Sequence, residues 1–260
     1  MSRDLSDGFA LNCVHLPKRA ERPRDYGLTI AADRGFGLNA VDDLLLTAGE
    51  FIDIAKFAMG VTRLMPESVV RERISRYSAC DIPVFFAGEI TELAAMQGVS
   101  GRYFEQVKHL GAWAVEISNA QIALGIPEKV ELIKAAQGAG LEVIAECGRK
   151  GGVDWAGSLS LVAREVEACV EAGAARVLIQ AEGLNEGVGE VNARLIEDLV
   201  GKFGLNALVF QAKTSTLITW FISTFGTRIN LDVDAHQVLD LESQRRGIRK
   251  RGVFGLVYDS

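Results

Sequence analysis

The 260-residue sequence lacks the features that mark several protein classes. Nowhere do about 18 apolar residues run together, the length that a membrane-spanning helix needs. Its 28 Lys+Arg and 34 Asp+Glu residues give a net charge of −6, and no dense basic block interrupts the chain. We therefore expect a protein that binds neither a membrane nor a nucleic-acid backbone.

Cysteine and histidine are too few and too scattered for a thiol or imidazole metal site. The four cysteines form no C-x-x-C pair, and the three histidines form no H-x-x-x-H pair. This pattern argues against a disulfide scaffold and a zinc site. Residues 1–22 contain no continuous apolar core of the kind found in secretory signals. We expect a cytoplasmic protein in which residues 1–22 form an N-terminal arm.

From residue 25 onward, short β-branched or aromatic runs alternate with amphipathic stretches of helical period. Eight strands are predicted, at 27–32, 51–57, 83–87, 112–118, 141–147, 176–181, 207–211 and 228–232. Helices are predicted to begin near Asn39, Pro66, Ser100, Pro127, Ser158, Val191, Thr214 and Ala235. No linker separates these units, so we predict an α/β fold, a single-domain (β/α)8 TIM barrel over residues 23–260.

Two glutamates stand inside otherwise apolar predicted strands, Glu116 in AWAVEIS and Glu146 in LEVIAEC. They occupy matching places on strands expected to be neighbours, and parallel neighbours lie about 5 Å apart. If both side chains point inward, they would bind one hard cation, for which Mg²⁺ with retained waters is the best candidate. The alternative is that either glutamate points to the helix layer and pairs with a basic residue there.

Basic residues near strand and helix ends are candidates for contact with an anion. Lys56 and Lys150 are expected on the same rim as the glutamates. A partly desolvated lysine beside other cations has a lowered pKa, which would let Lys150 donate a proton; a solvated surface position is the alternative for either lysine. Arg245, Arg246 and Arg249 would either contact an anion or complement the dipole of the last helix.

Several of these segments together resemble one known family. RDYGLT at 24–29, AGEFID at 48–53, ECGRK at 146–150 and RRGIR at 245–249 are similar to phosphosulfolactate synthases, and the resemblance runs in order over about residues 23–250. It implies a barrel that adds sulfite to phosphoenolpyruvate with Mg²⁺. It also implies that Lys150 is the proton donor and that Glu116 and Glu146 are retained acidic strand ends.

The sequence departs from this family at four strand ends. Small or cationic groups typical of the family are exchanged for acidic or neutral ones in the segments Ala87-Gly88-Glu89, Ser118-Asn119-Ala120, Gln180-Ala181-Glu182 and Phe210-Gln211-Ala212-Lys213. Asn119 and Lys213 therefore join the three arginines as candidate substrate-binding residues. Like-charge repulsion by the new acidic groups should penalise a phosphorylated substrate.

These observations leave three functions open. The first is a lyase that uses Mg²⁺ to add sulfite to phosphoenolpyruvate or a related unsaturated carboxylate. The second is a non-catalytic barrel that acts on a protein partner, because residues 230–242 also resemble the plant heat-stress-associated branch of the family. The third is a barrel lyase with a substrate that lacks phosphate. The oligomeric state stays open, a homo-oligomer included.

Overall fold

A computed structural model describes residues 2–3, 8–148, 159–180, 193–249 and 254–255. In these residues eight parallel strands form a closed barrel, which confirms the predicted fold. The strands are β1 Thr29–Asp33, β2 Ile54–Phe57, β3 Val84–Phe86, β4 Ala114–Ile117, β5 Glu142–Cys147, β6 Arg176–Ile179, β7 Leu208–Gln211 and β8 Leu231–Asp234. Each pairs with the next in the chain, and β8 pairs with β1.

Helices alternate with these strands and cover the outside of the barrel. They are α1 Leu38–Ala48, α2 Glu67–Ser78, α3 Gly88–Met96, α4 Ser100–Leu110, α5 Ile126–Gly138, α6 Leu159–Glu171, α7 Ala193–Ala207, α8 Ser215–Phe225 and α9 Val238–Arg245. Short 3₁₀ turns occupy Gly49–Phe51, Val61–Leu64 and Ala235–Gln237. Pro127 lies in the first turn of α5, as predicted, because its missing N–H needs no partner there.

The helix α3 was not predicted, since the sequence analysis placed only α4 between β3 and β4. Gly88 at its first residue and the pair Gln97-Gly98 after its end are typical of loop sequence. Position 88 has room only for glycine, because a Cβ atom there would lie 2.0 Å from the Ser118 Oγ. The helix therefore begins directly at the carboxyl end of β3, with its first turn against the neighbouring strand β4.

Two apolar layers hold the barrel together. The larger lies between the sheet and the helices, and the smaller fills the barrel interior with Ile30, Ile54, Phe85, Ala114, Ile144, Leu178 and Val209. Side chains alternate faces along a strand, so the residue two positions later points inward again. On five strands that next inward residue is polar: Lys56, Glu116, Glu146, Gln180 and Gln211. The apolar interior thus ends in a polar layer at the carboxyl ends of the strands.

The chain before β1 packs at the opposite end of the barrel. Residues Ser2–Arg3 and Arg19–Ala20 form a two-stranded antiparallel sheet. The buried guanidinium of Arg19 donates to Glu242 on α9 and to the Gly27 carbonyl. The division into an arm at 1–22 and a barrel at 23–260 stays a prediction. Among the described residues, no helix is long and apolar enough to cross a membrane.

Candidate active site at the carboxyl ends of the strands

A pocket of about 230 Å³ opens at the carboxyl ends of the strands, above the apolar interior. Its centre is the buried ammonium group of Lys56 on β2. The Lys56 Nζ lies 2.6 Å from the Glu116 Oε2, 3.8 Å from the Glu146 Oε2 and 3.7 Å from the Asp232 Oδ2. Lys56 was expected on this rim together with the two glutamates, and the structure brings the three side chains together.

Three carboxylates fix the charge state of Lys56. Burial alone would lower the pKa of this amine, but attraction to Glu116, Asp232 and Glu146 outweighs burial and raises the pKa above its usual value. The amine therefore stays protonated across the physiological range. Lys56 is a fixed positive charge balanced by carboxylates and is unsuited to act as a base.

The two glutamates occupy the same layer of the barrel. Each follows, by two residues, an interior apolar residue of its strand, Ala114 for Glu116 and Ile144 for Glu146. In the hydrogen-bond register Glu116 pairs with Ile144, an offset that accompanies the tilt of strands in a closed barrel. Both side chains point inward. Glu116 also accepts a bond of 3.1 Å from the Gly88 N–H, the first residue of α3.

Glu146 is a buried carboxyl group whose affinity for protons is raised. Burial and the neighbouring charge of Glu116 raise the pKa of Glu146 to about 8, although Lys56 opposes this rise. Its Oε2 accepts a bond of 3.2 Å from the Gln211 side chain on β7. Burial likewise raises the pKa of Glu116. Together the two groups form a site that favours an additional cation or proton.

Charges of alternating sign continue from Lys56 to the pocket mouth. Asp232 on β8 is fully buried and contacts the Lys213 Nζ at 3.2 Å. Lys213 also lies 3.8 Å from Asp234, which in turn binds Arg34 at 2.8 Å. Lys213 lines the pocket, where the sequence analysis proposed a substrate-binding residue. Each cation in this row already has a carboxylate partner.

Glu92 on α3 shapes the loop that follows β4. Its buried carboxylate accepts hydrogen bonds from the Ser118 hydroxyl and from the backbone N–H groups of Ala120, Gln121 and Ile122, the last three at 2.7 to 2.9 Å. A carboxylate with this many donors is firmly held. The bonds direct Ser118 and Ala120 toward the pocket, which both residues line.

Asn119 lies in the same loop but its side chain is engaged on the helix side. Its Nδ2 donates to Glu165 at 2.9 Å, and its Oδ1 accepts from the buried Lys129 at 3.3 Å. Lys129 also donates to the Glu146 carbonyl and pairs with Glu165 at 2.8 Å. Asn119 therefore belongs to a network that joins the ends of β4 and β5, and it does not line the pocket.

The three arginines proposed as substrate contacts lie away from this pocket. Arg245 is fully buried and donates to the Thr29 hydroxyl and to the carbonyls of Leu28 and Ile229, at the amino ends of β1 and β8. Arg246 pairs with Glu242 at 2.7 Å. The exposed Arg249 pairs with Asp240 at 2.9 Å. A helix that follows a parallel strand runs back along the barrel, so the end of α9 lies at the opposite end.

Lys150, the proposed proton donor, lies outside the described residues. It follows Glu146 and Cys147 at the carboxyl end of β5 by only a few positions. Its assignment as proton donor stays a prediction.

The oxygen donors of the pocket fit a hard divalent cation. The Glu116 Oε2, Asp232 Oδ2 and Glu146 Oε2 share a single cation, Lys56, and the raised pKa of Glu146 marks a local excess of negative charge. Mg²⁺ commonly uses one or two carboxylates and fills its remaining positions with water and substrate. In the described residues no preformed group of three or more Asp, Glu, His or Cys ligands occurs. The fit therefore rests on two carboxylates.

Two members of this site were not predicted from the sequence, Asp232 and Glu92, and Glu89 was noted only as a departure from the family. Asp232 carried the signal that identified the glutamates, an acidic residue within an apolar strand, in Leu231–Asp234. Gln180 and Gln211 were noted only as departures from the family. Glu92 lies on a helix that was not predicted, so its sequence position gave no sign that it would reach the β4 loop.

A family model described as (2R)-phospho-3-sulfolactate synthase (ComA) matches residues 17–251. The chain belongs to the phosphosulfolactate synthase family. This confirms the predicted membership and, at the level of the family, the prediction of a C–S bond-forming lyase. The match covers all eight barrel strands, so it includes every strand that contributes to the pocket.

Curated relatives include both enzymes and a plant protein. Phosphosulfolactate synthase from Methanothermobacter thermautotrophicus is 29% identical over 241 residues, which cover 90% of this chain and 93% of the relative. The synthase from Bacillus subtilis is 28% identical over 256 residues, 93% and 98% of the two chains. Protein HEAT-STRESS-ASSOCIATED 32 from Arabidopsis thaliana is 28% identical over 255 residues, 87% and 88%.

Solved structures agree on the fold. The 3-hexulose-6-phosphate synthase from Salmonella typhimurium has a TM-score of 0.56 at 11% identity and covers 85% of this chain and 100% of its own. A phosphoenolpyruvate phosphomutase from Streptomyces platensis subsp. rosaceus has a TM-score of 0.52 at 18% identity, with 84% and 79% covered. At these identities the likeness shows the barrel fold alone.

Proposed function

We propose that this protein adds sulfite to phosphoenolpyruvate or a related unsaturated carboxylate in a Mg²⁺-dependent reaction at the pocket around Lys56. The observation that carries the proposal is the Lys56 ammonium, which is buried among Glu116, Glu146 and Asp232 at the carboxyl ends of the strands. Functional groups of this type of barrel lie at that end. Curated phosphosulfolactate synthases of nearly the same length support the reaction class.

The reaction is an addition that needs no covalent bond to the protein. The sulfur lone pair of sulfite forms a C–S bond to the terminal alkene carbon. The π electrons move toward the carboxylate and form an enediolate, and a proton then adds to the carbon that bears the carboxylate. Negative charge therefore develops at the substrate carboxylate, where a fixed positive charge lowers the barrier.

Lys56 would supply that fixed charge. Its raised pKa keeps it protonated, and its three carboxylate contacts hold the ammonium in place before the substrate arrives. The Gly88 N–H and the Gln211 amide orient Glu116 and Glu146 around it. Preorganised charges of this kind require little rearrangement during the reaction. Lys150 would deliver the proton.

Glu116 and Glu146 would hold the Mg²⁺ ion, with Asp232 nearby. A bound divalent cation polarises a carboxylate and stabilises the charge that develops on it. The ion would also lower the pKa of Glu146, because a nearby positive charge favours the ionised carboxyl. Proton release on Mg²⁺ binding near pH 7 would therefore report occupancy of this site independently of turnover.

The deciding experiment is an NMR assay of the purified protein with sulfite, Mg²⁺ and a panel of unsaturated carboxylates that includes phosphoenolpyruvate. We expect the alkene signals to be replaced by those of a sulfonated product only when protein, sulfite and Mg²⁺ are all present. The variant Lys56→Met is the negative control and should form no product. The variant Lys202→Met, which changes an exposed lysine on α7, is the positive control and should form product as the wild type does. If no carboxylate is consumed by the folded protein, the non-catalytic alternative is favoured instead.

A further inference from the structure

We propose a second ligand site for an organic phosphate or sulfonate at the amino-terminal end of the barrel, in a cavity of about 780 Å³. Its walls are residues 19–24 and the residues that precede or begin several strands, among them Leu28, Pro83, Trp113 and Arg176. It is larger than the pocket around Lys56 and lies at the other end of the strands. The proposal is independent of the proposed addition reaction.

The buried charged groups of this cavity are mainly guanidinium groups. Five arginines line it: Arg19, Arg22, Arg24, Arg176 and Arg246. The buried carboxylates among them are Asp53, which binds Arg24 at 2.8 Å, and Glu242, which binds both Arg19 and Arg246. Glu21, Glu50 and Asp81 also line the cavity, but they are exposed, so water screens their charge. The buried part of the cavity therefore has more positive than negative charge.

Two of the arginines have no carboxylate contact within the described residues. Arg22 donates to the carbonyls of Ile52 and Cys80, at 2.7 and 3.3 Å. Arg176 donates from Nη1 to the Ala175 carbonyl at 2.6 Å, and its Nε is buried without a hydrogen-bond partner. A buried donor without a partner is costly. An oxyanion in the cavity would accept from it and would balance the excess charge.

Electrostatic repulsion among these arginines affects the pKa of Arg24. Burial lowers the pKa of Arg24, Asp53 opposes this, and repulsion from Arg19 and Arg22 lowers it further. These like charges lie close enough to interact, and each would be stabilised by an anion between them. Arg245, which is fully buried just behind Arg24 and Arg19, adds to the same repulsion.

The uncharged part of the lining defines the rest of the ligand. Trp113, Phe51, Ile54, Pro83 and Leu28 provide an apolar surface beside the guanidiniums. Trp113 also packs against the apolar interior of the barrel, which holds its ring in place. The volume falls within the range of small-molecule sites, roughly 300–1,000 Å³. A tetrahedral oxyanion joined to an apolar or aromatic group therefore fits better than a free inorganic ion.

The test uses phenyl phosphate, benzenesulfonate and inorganic phosphate as probes, with calorimetry and tryptophan fluorescence of the full chain. We expect saturable binding of phenyl phosphate or benzenesulfonate, tighter than that of inorganic phosphate, with a change in emission that Trp113→Phe removes. Whichever organic probe binds more tightly identifies the anionic group. Arg176→Gln should weaken binding about tenfold, the order expected for one charge-assisted hydrogen bond.

Two control variants make the result specific. Lys202→Gln removes an exposed positive charge from α7, and Lys213→Gln removes one from the pocket around Lys56. Neither should change the affinity for the organic probes. Weakening by Lys213→Gln without weakening by Arg176→Gln would place the anion at the other end of the barrel and overturn the proposal. The proposal would also be overturned by equal weakening in all variants, or by no saturable binding up to about 10 mM probe.

Discussion

Replacement of Lys56 by Met should destabilise the protein in a manner that depends strongly on pH. The substitution preserves much of the apolar stem but leaves Glu116, Glu146 and Asp232 buried without their shared cation. Removal of one partner from a buried ion pair typically costs about 3–5 kcal/mol. We expect a loss of this order in the free energy of unfolding at pH 8, where the carboxyl groups would otherwise ionise.

The sign of the pH dependence follows from the carboxyl groups. The folded-state pKa values of Glu116 and Glu146 are raised in the wild type and should rise further without Lys56, so the folded protein binds more protons than the unfolded chain in the window between the two states. Stability then falls as pH rises through this window. The loss caused by Lys56→Met should therefore be smaller at pH 5 than at pH 8.

Urea unfolding of the wild type and the variant at pH 5 and pH 8, without divalent cations, measures both quantities. Lys202→Met is the matched control, because its exposed pair with Glu167 should contribute about 1 kcal/mol or less. The double variant Lys56→Met/Glu116→Gln should recover part of the lost free energy of unfolding, because one of the buried carboxyl groups can no longer ionise. A loss below about 1 kcal/mol at pH 8, or an equal loss at both pH values, would refute this account of the buried charges.

Four further predictions concern the pocket around Lys56 and the proposed reaction. Glu116→Gln and Glu146→Gln should each weaken the Mg²⁺ dependence of turnover, and wild-type rates in both at limiting Mg²⁺ would rule out a shared ion. Lys150→Met should fold normally and lower turnover about 100-fold, and an unchanged rate would remove it from the mechanism. Burial raises the pKa of Glu146 to about 8, so the free energy of unfolding of the wild type should decline as pH rises from about 5 to 8, by up to about 1.4 kcal/mol per pH unit. The variant Glu146→Gln should show a smaller decline over the same range. An unphosphorylated carboxylate should show higher kcat/KM than phosphoenolpyruvate in side-by-side kinetics, because Glu89 and other acids line the pocket; efficient use of phosphoenolpyruvate would contradict this.

The alternation of apolar strands and amphipathic helices, together with the family resemblance, predicted the barrel. The apolar runs at 112–118 and 141–147 also revealed that Glu116 and Glu146 interrupt them, and the structure places both side chains inside the barrel mouth. The same pattern was present at Asp232, in β8, and could have identified it. Lys56 was found because it lies at a strand end, where barrels of this type keep their functional groups.

The stagger between neighbouring strands was not available from the sequence. Spacing within one strand fixes which residues share its inner face, but hydrogen bonding between strands decides their relative height. The sequence did not show that Glu116 pairs in register with Ile144. It also did not show that Glu116 is the nearer of the two glutamates to the Lys56 ammonium, at 2.6 Å against 3.8 Å.

By itself, the sequence determined the barrel and the polar strand-end residues Lys56, Glu116 and Glu146, because hydrophobic periodicity is a local property of each segment. Only the tertiary structure decided which charges meet. It paired Lys56 with a carboxylate from β8, some 175 residues later in the chain, and it placed Arg245 and Arg246 at the amino end of the strands. Electrostatic contacts depend on distances between segments remote in sequence, and folding of the closed barrel sets those distances.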